Sequence, residues 1–189
     1  PKGVQLTHEN IMFEIESSLD HAGLRDTTGI SLSYLPMAHI AERMMSHYQW
    51  AIGGYTVSCC PDPNQLSAYL REVRPEILFG VPRVWEKIYN GVQAALGADP
   101  ARKAQFDEGV AAALAVKQAQ RDGVATQEQL DTWTFLDGVA FANVRALVGL
   151  DSLLVGVTGA APIPRPVLEW YGAIGVPLSE IYGMSESSG

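Results

Sequence analysis

Five short apolar runs, none longer than six residues, recur along the chain with helix-patterned stretches between them. They are Ile-Ser-Leu-Ser-Tyr-Leu at 30–35, Tyr-Thr-Val-Ser-Cys at 55–59, Ile-Leu-Phe-Gly-Val at 77–81, Leu-Leu-Val-Gly-Val at 153–157 and Val-Pro-Leu-Ser-Glu-Ile at 176–181. Runs of this length, bounded by Gly, Pro and polar clusters, read as strands. Strands that alternate with helices are joined by crossovers, which give parallel pairs with helices over both faces. The expectation is an α/β fold with a mainly parallel sheet and helices on its faces.

The intervening segments supply the helices. Thr7 caps a helix with Ile11, Ile15 and Leu19 on its apolar face and Met12 and Ala22 beside them; Gly23 and Gly29 end that segment. A second helix is expected over about 40–50, before Gly53-Gly54. Asp62-Pro63-Asn64 turns into a third, which ends near Val73 ahead of Pro75. Pro82 opens a fourth through about Leu96, and Pro164 and Pro166 suit the first turn of another running to about Ala173. The alternation stops between Gly97 and Val148. Residues 104–120 are rich in Ala, Gln and Lys, which favour helix but mark few deep-core positions, so 97–148 reads as an exposed helical excursion. Within it, Thr126 and Gln129 have the spacing of a capping box, and the helix they start would carry Leu130, Trp133, Phe135, Leu136, Val139 and Val144 towards the body.

Composition narrows the functions. A net charge of −8 argues against nonspecific nucleic-acid binding, which needs a basic surface. It also gives no general attraction for an anionic ligand, so anion binding must rest on local groups. No apolar run approaches the roughly 20 residues of a membrane span and no signal-peptide pattern is seen, which favours a cytoplasmic protein. Cys59 and Cys60 are neighbours in a strand-like run, point to opposite faces and make a poor disulfide; reduced, buried thiols are expected. Apolar residues make up 47% and charged residues 18%, which suits a buried sheet or a piece of a larger protein.

Two loops carry candidate chemistry. The fourth run opens into Thr158-Gly159-Ala160-Ala161-Pro162-Ile163, whose small residues leave room for a flat ligand against the backbone. The fifth opens into Tyr182-Gly183-Met184-Ser185-Glu186-Ser187-Ser188-Gly189, with an aromatic face, a flexible glycine, a hydroxyl and a carboxylate. In a parallel sheet both loops fall on the carboxyl edge, where one ligand could touch both. The plain alternative is a solvated turn with a chance Tyr and Glu. His39 lies just past a strand end and suits a structural role; His39, Glu42 and His47 do not share the i, i+4 face a zinc helix needs. Glu42 and Arg43 read as an ordinary helix pair. Met44, Met45, Tyr48 and Trp50 form a soft apolar surface, either core or an adaptable apolar wall for a ligand. Arg83 and Trp85 read as scaffold.

Taken together, Thr158 to Ile163 followed by Tyr182-Gly183-Met184-Ser185-Glu186 resembles the adenylate-forming superfamily of acyl-CoA synthetases, luciferases and peptide-synthetase adenylation domains. Pro1-Lys2-Gly3-Val4 resembles the end of that family's phosphate loop. Leu35-Pro36-Met37-Ala38-His39-Ile40-Ala41-Glu42-Arg43 resembles its L-P-x-x-H-x-x-E-R motif, and residues 74–88 resemble the long-chain fatty acyl-CoA synthetase branch. The resemblance implies ATP/AMP, Mg²⁺ and CoA as ligands and a fatty acid as substrate. It places Lys2 and Ser185 at phosphate, and Gly159, Ala160, Ala161, Pro162 and Tyr182 around adenine, with Gly183 and Met184 in the same nucleotide loop. It puts Glu186 on Mg²⁺ and His39 at the acyl pocket. The family has Thr where this chain has Ser185; the hydroxyl is retained. The implied protein is a long-chain fatty acid–CoA ligase, with an acyl-AMP ligase or a CoA ligase for another acid as the alternative. The chain would be residues 1–189 of a large N-terminal AMP-binding domain, without a C-terminal domain and inactive alone, with peripheral membrane contact an open alternative. A serine hydrolase is a rival from another class, since Gly183-Met184-Ser185-Glu186-Ser187 nearly matches G-x-S-x-G; Ser187 replaces the last Gly and no H-G-G-G occurs. A noncatalytic nucleotide-binding module is a third reading.

Overall fold

The computed structural model describes residues 3–23 and 29–189. Among these, five strands form one parallel sheet: β1 (Ile30–Ser33), β2 (Thr56–Cys59), β3 (Ile77–Gly80), β4 (Val155–Thr158) and β5 (Leu178–Glu180), in the order β2-β1-β3-β4-β5. All five expected strands are present; four are shorter than expected, and β4 starts two residues later and runs one residue further, to Thr158. Because every pair is parallel, Ser33, Cys59, Gly80, Thr158 and Glu180 end on one edge, and the loops that follow them share it. The strand order reverses between β1 and β3, and such a switch point opens a crevice at the carboxyl ends. Here the ladder joins β1 to β3 only through Ser31 and Ile77. Farther along, the Tyr34 hydroxyl donates to Phe79 O at 3.1 Å across the same seam.

Side chains alternate across the sheet as the pleat requires. Ile77 joins Ile15, Leu19, Met44 and Tyr55 in a small core on one face. Leu78 joins the larger core on the other face, with Trp85, Leu150, Tyr171 and Ile174. The small core lies beneath α1 (His8–Ala22), which begins at the expected Thr7 cap, here a capping box with Asn10, and ends at Gly23 in the left-handed conformation, φ 66°. The expected helix over 40–50 is three pieces: α2 (Ile40–Arg43), a π-helical turn (Met44–Tyr48) and α3 (Gln49–Gly53). The larger core is covered by α4 (Leu66–Val73), α5 (Pro82–Gly97) and the helices that follow.

The exposed excursion is corrected by the structure. α6 (Pro100–Arg121) buries Phe106, Val110, Ala113 and Val116, a three-to-four-residue spacing that makes one packed stripe. Phe106 meets Phe141 edge to face at 5.7 Å. Next come α7 (Gln127–Leu136), a second π turn (Asp137–Phe141) and α8 (Ala142–Val148). These are fastened to α9 (Arg165–Ala173) by polar ties: Trp133 Nε1 donates to Ala173 O at 2.9 Å, and Arg145 bonds both Asp137 oxygens and Ile174 O. Trp133 and Leu136 pack on the core and Val144 is buried, as expected, whereas Phe135 and Val139 are 67% and 55% exposed, against expectation.

Cys60 is buried, and its thiol donates to Asp62 O while burial pushes its pKa up; Cys59, expected buried, is exposed. Both thiols are free. No helix among the described residues is long and apolar enough to cross a membrane.

Candidate functional site at the carboxyl edge

The loops after β4 and β5 are stitched together by backbone and side-chain bonds. Ile181 N–H donates to Thr158 O at 2.8 Å, and Ile163 N–H donates to Glu180 Oε1 at 2.9 Å. Gly159 is buried against this junction: a Cβ there would lie 3.1 Å from Ile181 O and 3.2 Å from Ile181 Cγ1. The chain then rises through Ala160, a non-glycine residue at φ 69°, and exposes Ala160, Ala161 and Pro162 before Ile163 turns back into the core. The Thr158 hydroxyl lies buried under this turn with no hydrogen-bond partner among the described residues.

The second loop folds on itself. Ser187 and Gly189 N–H both donate to Met184 O, a 3-10 turn spans Ser185–Ser187, and Ser188 is buried at φ 76°. A Cβ on Gly183 would fall 2.2 Å from the Gly189 carbonyl carbon, so this fold of the loop requires glycine. Tyr182 stands 89% exposed, and Met184, Ser185 and Glu186 are exposed beside it. Among the described residues Glu186 has no hydrogen bond or ion pair, so its carboxylate is free for a ligand. Among the described residues no histidine hydrogen-bonds Ser185.

His39 belongs to the same edge but to the switch point between β1 and β3. It is the N-cap of α2: its Nδ1 accepts from Ala41 N–H at 3.2 Å, which fixes the proton on Nε2. Its ring lies 6.5 Å from that of Phe79. Phe79 in turn comes within 3.6 Å of the Cβ position of Gly159, so one aromatic ring spans from His39 to the β4 loop. Below lies a cavity of about 580 Å³ between α1, the first π turn and the sheet, walled by Leu19, Met44, Met45, Phe79, Val155 and Val157, with Tyr182 and Gly189 also lining it. Met44 is buried and Met45 and Tyr48 are half-buried, whereas Trp50 turns outward, 47% exposed. A larger hollow, about 730 Å³ between α6 and α9, mixes Lys117, Arg121 and Arg165 with Glu169 and Glu180, and no single charge dominates it.

The structure therefore brings the loop of Gly159, Ala160, Ala161 and Pro162 and the loop of Tyr182, Gly183, Met184, Ser185 and Glu186 to one edge of the sheet, with His39 bordering it through Phe79. Lys2 lies outside the described residues. Glu42 and Arg43 are not a pair: adjacent helical residues point apart. Glu42 is 4% exposed and accepts from Leu35 N–H at 3.1 Å and from Ser46 Oγ at 2.5 Å. Glu180, which holds Ile163, also escaped the sequence reading; its signal was a carboxylate ending a strand beside the Tyr-Gly loop.

The chain matches the model of the AMP-binding enzyme family over residues 1–189. It is 36% identical to the long-chain-fatty-acid–CoA ligase ACSBG2 of Xenopus laevis, covering 100% of this chain and 26% of that protein. The N-terminal domain of FACL13 from Mycobacterium tuberculosis superposes with a TM-score of 0.59 at 20% identity, over 100% of this chain and 35% of that one. O-succinylbenzoate CoA synthetase from Bacillus subtilis, in complex with ATP and magnesium ion, gives a TM-score of 0.58 at 19% identity, over 100% of this chain and 28% of that one. The chain thus spans about a third or less of the curated relatives it matches. A match that runs from the first residue to the last places the chain in the AMP-binding enzyme family.

Proposed function

We propose that the full-length protein is a long-chain fatty acid–CoA ligase and that this chain supplies the nucleotide edge and part of the acid pocket of its AMP-binding domain. The observation that carries this reading is the joining of the β4 and β5 loops, by Ile181 N–H to Thr158 O and Ile163 N–H to Glu180, directly beside an apolar cavity. A nucleotide on these loops and an acid in the cavity would meet at the carboxyl edge.

The fit is residue by residue. Exposed Tyr182 offers a ring for stacking adenine, and the flat turn at Gly159 to Pro162 offers an opposing backbone surface. Ser185 can donate to a phosphate oxygen. Among the described residues no group of three or more His, Cys, Asp or Glu could cage a metal. Glu186 alone suits Mg²⁺, which takes one or two carboxylates and completes its shell with phosphate oxygens and water. When bound, that ion would offset phosphate charge as pyrophosphate departs. In the proposed reaction a carboxylate oxygen of the fatty acid attacks the α-phosphorus of ATP and the bond to pyrophosphate breaks. The CoA sulfur then attacks the acyl carbon, releasing AMP and losing its proton. The chain contributes alignment and charge stabilisation, and no side chain forms a covalent bond to substrate.

The test is a panel of saturated fatty acids and aromatic acids with ATP, Mg²⁺ and the full-length protein, read as pyrophosphate release and then as thioester on adding CoA. Release that peaks with long-chain acids and yields thioester is expected. Release without thioester identifies an acyl-AMP ligase, and ATP binding without release identifies a noncatalytic module.

A further inference from the structure

The loop that carries His39 and the π turn that carries Met44 are held together by two consecutive residues on opposite sides of α2. On the inside, the buried Glu42 carboxylate joins Leu35 N–H, at the start of the loop, to the Ser46 hydroxyl in the π turn. On the outside, Arg43 Nε donates to Met37 O at 3.0 Å and its Nη1 donates to the Tyr48 hydroxyl at 3.3 Å. Each side chain thus spans from segment 35–39 to segment 44–48. The loop is closed within itself by His39 N–H to Pro36 O at 2.9 Å. The π turn is anchored beyond it by the Tyr55 hydroxyl on Met45 O and by Gln49, whose amide donates to Ser18 Oγ at 2.6 Å. Met44 of that turn lines the same cavity as Gly189 of the Tyr-Gly loop, and its Cγ lies 3.4 Å from where a Cβ on Gly189 would stand.

We propose that Glu42 and Arg43 are positioning residues that lock the His39 loop and the π turn into one rigid body, and so set the width of the cavity through which the acid is selected. The inference rests on the proposed ligase reading for its substrate, but its mechanical half does not. A carboxylate that accepts two hydrogen bonds inside a core is costly to bury and to leave unpaired, so a purely local helix role does not account for it. Burial first, and the Glu42 charge second, raise the pKa of both the Tyr34 and the Tyr55 phenols. A π turn inserts an extra residue and leaves local bonding less regular; such turns recur at functional sites, and this one is braced from both sides.

The experiment uses the full-length protein and four variants: Arg43→Ala, which alters an exposed side chain, Ser46→Ala, Glu42→Gln and Glu42→Ala. Amide exchange of peptides covering 35–48 is followed without ligand, and KM is measured separately for fatty acid and for ATP. Ser46→Ala, which loses one bond to a charged group, is expected to speed exchange in 36–48 by roughly tenfold, Arg43→Ala, which loses two, by at least as much, and both to raise the acid KM with little change for ATP. Glu42→Gln is expected to stay near the parent, since its amide oxygen can accept from Leu35 and its nitrogen can donate to Ser46. Glu42→Ala should be the worst of the four. Folded Arg43→Ala and Ser46→Ala proteins that exchange 36–48 at the parent rate overturn the clamp, as does an equal rise of the acid and ATP KM values. If the parent protein releases no pyrophosphate with any fatty acid, the ligase reading fails while exchange still decides the clamp.

Discussion

At His39 a backbone role and a ring role share one side chain. Its Nδ1 caps α2 and its imidazole faces Phe79 at the switch crevice. Asn is a better N-cap than Ala and carries no ring, so the two roles separate. His39→Ala should cost about 1 kcal/mol as a lost cap, while His39→Asn should melt near the parent. If the ring borders the acid as proposed, both variants of the full-length protein should shift acid selectivity or slow thioester formation. Parent-like kinetics in a well-folded His39→Asn protein would leave the ring with a capping role only. Glu186 is the reverse case, a carboxylate with no internal partner, so Glu186→Gln should leave the melting temperature unchanged. On the proposed role it lowers pyrophosphate release on the order of 10²–10³-fold, with a weakened response to Mg²⁺, and Ser185→Ala costs less. A Glu186→Gln protein with the parent's rate and Mg²⁺ dependence would remove Glu186 from the metal. These loop residues were legible because glycine, hydroxyl and carboxylate stand within a few positions of a strand end. Glu42 was not, because its burial and its bond to Leu35 depend on how the chain returns over β1.

Elements were legible wherever a local rule governs them. The cap at Thr7, the capping box at Thr126 and the proline opening α5 mark helix starts by their own chemistry. α6 was misjudged because Ala113, fully buried, contributes almost no hydrophobic signal although it sits in the packed stripe. The two π turns are single-residue insertions fixed by tertiary contacts, which periodicity does not register. Two glycines show the difference between local and tertiary demand. Gly91, inside α5, has nothing within 4 Å of its Cβ position, so Gly91→Ala should stabilise by about 0.5–1 kcal/mol through helix propensity. Gly149 ends α8 at φ 78°, and its Cβ would lie 2.1 Å from Leu70 O in α4. Gly149→Ala should therefore destabilise by more than about 2 kcal/mol, because strain and a backbone clash act together. Urea unfolding of both variants checks the pair; equal midpoints would mean that α8 does not press on α4 as described.

For the molecule as a whole, three phenols lie in the two cores: Tyr34, Tyr55 and Tyr171. Burial is the main cause that raises each above the ordinary phenol value of 10.0. Below that value both folded and unfolded chains keep these protons, and the cores contribute fully. Above it the unfolded chain releases them and the folded chain does not, so stability falls as pH rises. Urea midpoints should be level across mildly alkaline pH and drop once the pH passes about 10. Tyr171→Phe should make the drop shallower; a midpoint that stays level through that range would show that the phenols are not held neutral by the fold. The global arrangement was legible in its class, because short strands and crossovers leave little but a parallel sheet. The order of strands, and hence the switch point beside His39, was not, since it depends on which side each crossover passes.

The narrow join between β1 and β3 has a further consequence for cohesion. β1 and β2 form one small plate and β3, β4 and β5 another, and the seam is crossed by one ladder pair, by Glu76 N–H donating to Ile30 O at 2.8 Å and by the Tyr34 hydroxyl. Both cores cross that line, Leu32 with Leu78 on one face and Tyr55 with Ile77 on the other, so packing holds the plates together where the ladder is narrow. An acid in the cavity would touch Met44 and Met45 beside the first plate and Val155 and Val157 on the second. Substrate would then act as mortar across the seam, strengthening the sheet in proportion to how tightly it is held.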